Sequence, residues 1–116
     1  MRTSVWADND PAAVSCALLR RLQTELAASG TKLLLVLQYS LTRAVLRPPK
    51  AIIVAGCARE LGVDTLDLWE DLKGLRDRSS EQFARLWVSD DGKTFGHMSS
   101  QGNRFVAERI AAGLTK

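Results

Sequence analysis

The strongest constraint on this chain is a pair of short strand-like runs separated by a segment of helical periodicity. The first, Leu33 to Tyr39 (LLLVLQY), is almost continuously apolar and follows Gly30. An uninterrupted apolar run of this length fits a strand buried on both faces of a parallel sheet. The second, Val63 to Trp69 (VDTLDLW), alternates between apolar and polar residues. Between them Pro48-Pro49 break the chain, and Ile53, Val54, Cys57, Ala58 and Leu61 recur at helical spacing from Lys50 up to Gly62. Strand, helix and strand in that order require a crossover, so the two strands are expected to lie parallel.

The flanking segments extend the pattern. Asp10 and Pro11 suit an N-cap and a first helical position, and Gly30 suits a C-terminal stop. A helix is expected over about 11–29, with Val14, Ala17, Leu18, Arg21, Leu22, Leu26 and Ala27 on its inner face. Arg20, Gln23 and Glu25 are then left to water. Leu41 to Arg47 fits no single element. The charged stretch from Glu70 to Arg85 reads as one or two short helices, and Leu86-Trp87-Val88 as a brief extended piece. A loop is expected from Ser89 to Met98, then a final helix from Ser99 or Ser100 to Leu114.

The expected fold is therefore α/β in the order α-β-α-β-α-α, a single domain over 1–116. It reads as a partial three-layer α/β/α (flavodoxin-like) arrangement with a short parallel sheet. Two strands leave open edges, which proteins usually cover or extend, so part of a larger sheet is the better fit.

Composition excludes several function classes. Sixteen Lys and Arg against thirteen Asp and Glu give a net charge of +3, spread without any long basic run. A nucleic-acid binder normally shows a basic stripe, so no nucleic-acid partner is expected. No stretch approaches the length of a membrane span, and Asp8 and Asp10 interrupt any signal-like N-terminus, so a cytoplasmic chain is expected. Cys16 and Cys57 lie in apolar helical segments, and the only histidine is forty residues beyond the second. That spacing matches no metal motif. Two small buried hydrophobes are the expectation, and whether they pair is left open.

That one histidine, His97, stands in Gly96-His97-Met98-Ser99-Ser100-Gln101-Gly102-Asn103-Arg104, just ahead of the last amphipathic segment. A histidine where a loop enters a helix can be held in place yet stay accessible, as a general base for a hydroxyl nucleophile requires. The block GHMSSQGNRFVAERIAAGL resembles the terminal segment of SGNH (GDSL-like) hydrolases, in which a histidine is followed by small or polar residues, a glycine and a closing helix. LGVDTLDLWEDL is similar to the last strand of that family and its following loop. LLRRLQTELAASGTKLLLVLQY resembles its penultimate helix and strand. The resemblance covers nearly the whole chain in the right order.

The resemblance implies a C-terminal part of a serine ester hydrolase, acting on small acyl or acetyl esters without metal or cofactor. His97 would be the general base. The family's orienting aspartate falls at Thr94, which has no carboxylate, so Asp91 or Asp90, or a backbone carbonyl, would take its place. Ala7-Asp8-Asn9-Asp10 is similar to the family's Gly-x-Asn-Asp block and would make Asn9 an oxyanion donor. The Gly-Asp-Ser motif occurs nowhere, and Ser4 stands in an unrelated context. The serine must come from a partner segment, and the isolated chain is expected to be inactive.

Two other readings remain. The chain could be a non-catalytic association module that dimerises or binds a partner through its sheet edge. A flavodoxin-like phosphate binder is less favoured, because no glycine-rich turn follows either strand; Gly92-Lys93-Thr94 is no phosphate loop. Trp6, Trp69 and Trp87 are expected as buried bulk, and Glu60, Asp64, Asp67, Glu70 and Asp71 as a solvated acidic rim.

Overall fold

Gly30 and Gly62 end two helices at the positions their sequence suggests, each with a left-handed backbone of φ 73° and 74°. The structure, a computed structural model, describes residues 11–41, 44, 46–90 and 93–114. Helix α1 (Pro11–Ala28) leads to strand β1 (Leu34–Leu37), helix α2 (Pro49–Leu61) and strand β2 (Asp64–Asp67). β1 and β2 form a two-stranded parallel sheet with α2 as the crossover. Helices α3 (Trp69–Arg78) and α4 (Ser80–Ala84) follow. They are separate because Ser79 turns extended at φ −157° and its hydroxyl accepts the Gln82 amide, capping α4. The chain is mixed α/β and mostly helical.

Ser89 to Met98 is not a loop: β3 (Trp87–Asp90) and β4 (Lys93–Met98) pair as an antiparallel hairpin, a sheet separate from the parallel pair, before helix α5 (Ser100–Leu114). The two strands satisfy each other's backbone groups, and this needs no apolar alternation in the sequence.

The chain clusters into two units, Met1–Leu35 with Pro48–Thr65, and Val36–Arg47 with Leu66–Lys116. The first is built on α1 packed against α2. Leu19, Ala58 and Val63 form its core, flanked by Leu33, Leu35, Val54 and Leu61. The inner face of α1 is rotated from the expected one. Ala12 and Leu19 are buried and Cys16, Gln23 and Leu26 partly so, whereas Leu18 and Leu22 stay 51% and 46% exposed. Two tertiary bonds account for the rotation. Cys16 and Cys57 are joined in a disulfide with Cα atoms 5.9 Å apart, so they are not the free hydrophobes expected. The Gln23 carboxamide donates to the Leu61 carbonyl at 2.5 Å, satisfying an acceptor at the C-terminus of α2.

In the second unit Leu68 and Leu72 are completely enclosed. Leu75, Phe83, Leu86, Trp87 and Val106 are also buried. Phe83 meets Trp87 edge-on with ring centroids 5.8 Å apart, so Trp87 is the buried bulk expected. Glu70 and Asp71 in the first turn of α3, and Arg76 and Arg78 in its last, complement the helix dipole.

Candidate functional site

His97 is the penultimate residue of β4 and is exposed. It belongs to the hairpin and not to the parallel pair. The ladder explains its presentation. Trp87 faces Met98 and Ser89 faces Thr94, so two steps along β3 oppose four along β4. The surplus residues of β4 bulge between these pairs, and Gly96 there takes φ 77°. That left-handed conformation is one glycine adopts without steric cost. Bulges re-aim the side chains beside them, and this one precedes the imidazole directly.

The strand end behind His97 is locked. The Ser99 amide donates to the Leu86 carbonyl at 2.8 Å, and the Ser99 hydroxyl donates to the Arg85 carbonyl at 2.6 Å. The same hydroxyl oxygen accepts the Gly102 amide at 3.2 Å and so caps α5. Ser99 is thereby committed to the junction and is no free nucleophile. Helix and hairpin approach so closely that a Cβ on Gly102 would overlap the Leu86 carbonyl oxygen. Gly102 is required by that contact.

The partners expected for His97 are not brought to it among the described residues. Asp91 and Asn9 lie outside those residues, as do Ser4 and Trp6. Thr94, at the family's aspartate position, faces Ser89 in the ladder, and Asp90 faces Lys93. Among the described residues no hydrogen bond or ion pair reaches the imidazole.

A second constellation, missed in the sequence, lies in the same unit. Asp67 ends β2, and its Oδ1 accepts the Tyr39 hydroxyl at 2.7 Å and the Trp69 amide at 3.0 Å. Its Oδ2 pairs with the Arg47 guanidinium, which also lies over the Trp69 ring at 5.3 Å from the centroid. Burial raises the Tyr39 phenol above its ordinary value of 10.0, against the opposing influence of Arg47. The Tyr39 hydroxyl and the Asp67 carboxylate hold Arg47 more firmly protonated than usual. Asp67 is thus not the solvated rim residue expected. A carboxylate with its oxygens occupied by three donors, one of them cationic, is a good latch. Tyr39 follows β1 and Asp67 closes β2, so parallel pairing is the signal that could have joined them; nothing in the sequence marks Arg47.

Among the described residues no group of three His, Cys, Asp or Glu side chains converges for a metal ion, so Glu60, Asp64, Asp67, Glu70 and Asp71 make no such site. Among them, too, no helix is long and apolar enough to cross a membrane. Compared with protein-family models, with curated proteins and with solved structures, the chain gives no match, and its chemistry is read from its own side chains.

Proposed function

We propose that this chain is the histidine-bearing C-terminal part of an SGNH-type serine ester hydrolase, with His97 as general base for a serine supplied by a separate segment. The observation that supports it most is the bulge at Gly96, which leaves the imidazole exposed on a backbone anchored between a hydrogen-bonded hairpin and a capped helix. Fixed position with access is what a general base needs. The parallel pair with its α2 crossover, followed by a histidine and a closing helix, agrees with the resemblance in the sequence. The finer three-layer, flavodoxin-like arrangement belongs to the same proposal, with the partner segment extending the sheet.

In this reading the serine hydroxyl attacks the acyl carbonyl while His97 takes its proton. The tetrahedral species collapses to an acyl-enzyme, and His97 passes that proton to the departing alcohol. Water then repeats the sequence and frees the acid. A carboxylate or a backbone carbonyl holds the second ring nitrogen, and a donor brought by the serine-bearing segment stabilises the developing oxyanion.

The test is hydrolysis of p-nitrophenyl acetate and fluorophosphonate labelling, for the chain alone and mixed with a serine-bearing SGNH segment. The chain alone should be inert. The mixture should turn over, and His97→Ala should lower that rate by about a hundredfold or more. No turnover, or turnover indifferent to His97, overturns the proposal. The alternative is the association module, favoured by the half-exposed Leu18, Leu22, Ile52 and Ile53 on α1 and α2.

A further inference from the structure

The second unit contains an open cleft of about 350 Å³ bordered by α3, α4 and α5. Leu75, Leu86 and Phe105 give it an apolar floor. Two guanidinium groups, Arg85 and Arg104, stand on its walls with the carboxamides of Gln82 and Gln101. Glu108 is the one carboxylate among the lining residues. Neither His97 nor the Asp67 latch borders the cleft, so a ligand bound there is independent of the hydrolase reading.

The two cations are available. Arg85 bonds Glu81 at 2.5 Å, but both side chains are more than half exposed, and such a pair is weakly held and leaves most guanidinium donors free. Arg104 has no acceptor among the described residues. An apolar floor bordered by two guanidinium groups suits an amphiphile with a planar anionic head, because a guanidinium takes a carboxylate through two parallel hydrogen bonds. Glu108 disfavours a doubly charged head such as a phosphate monoester. The volume lies at the small end of ligand clefts.

We propose that this cleft binds a small monocarboxylate with an apolar body. The carboxylate sits between Arg85 and Arg104, and the body covers Leu75, Leu86 and Phe105.

Titration of the full chain with octanoate, followed by backbone and side-chain NMR shifts, tests this directly. Octanol and octylamine are the neutral and cationic controls. Octanoate should shift Leu75, Leu86 and Phe105 and bind at least about tenfold more tightly than either control. The double variant Arg85→Gln/Arg104→Gln, which changes only exposed side chains, should keep the fold and lose about tenfold in octanoate affinity. No shifts up to millimolar octanoate would overturn the proposal. So would equal binding of octanol, or a double variant that binds as the parent does.

Discussion

Tyr39 is the only tyrosine of the chain, so its phenolate absorbance reports one site without ambiguity. Burial raises its pKa above 10.0, so the fold favours the neutral phenol. The stability it contributes is therefore whole below pH 10.0 and is lost as the pH climbs through the higher folded value. An alkaline titration should place its midpoint above 10.0 in the native chain and return it toward 10.0 in urea. A native midpoint at or below the unfolded one would contradict the buried bond to Asp67. Packing at Gly102 is open to a test of the same kind. In Gly102→Ala the new methyl runs into the Leu86 carbonyl oxygen, and backbone cannot swing aside as a long side chain does. The expected loss in urea unfolding is about 1–3 kcal/mol. Gly113→Ala is the control, because its nearest neighbour, Leu66, lies at an ordinary 4.0 Å. Helix propensity there should leave stability unchanged or raise it by up to about 1 kcal/mol.

At the scale of elements, the Cys16–Cys57 disulfide decides which face α1 buries. It closes a sequence separation of 41 residues, which corresponds to about 4 kcal/mol of lost unfolded-state entropy. Reduction should lower the thermal midpoint clearly, and Cys16→Ser/Cys57→Ser should behave like the reduced chain. An unchanged midpoint would mean that the bond is incidental to α1–α2 packing. Disulfides persist mainly in oxidising compartments, so this pairing and a cytoplasmic location pull in opposite directions. Hydrophobic periodicity alone puts Leu18 and Leu22 inside, because it counts apolar residues and cannot see a cross-link or a carboxamide reaching Leu61. The same limit hid the β3–β4 hairpin. Its ladder and the bulge at Gly96 are set by pairing across strands, whereas α1, β1, α2 and β2 were legible because proline, glycine and local apolar spacing mark them.

For the whole molecule, the legible part of the candidate site was His97 and the start of its helix, both encoded in consecutive residues. The Asp67 latch was not, since Tyr39, Arg47 and Asp67 are far apart in sequence and meet only in the folded chain. The apolar side chains that the fold leaves uncovered bear on how the chain behaves in solution. Leu18, Leu22, Ile52 and Ile53 are 51%, 46%, 52% and 51% exposed, all on α1 and α2. Among the described residues the parallel sheet has only two strands, which leaves edges to be covered. Both features favour self-association, so the sedimentation coefficient should rise with concentration. Leu22→Lys/Ile53→Lys places charge at two already half-exposed positions and should keep the thermal midpoint while returning the chain to a monomer. A parent that stays monomeric at high concentration would remove the association reading and leave these side chains for a serine-bearing segment to cover. A double variant that associates as the parent does would place the contact elsewhere, with the open strand edges as the surface to alter next.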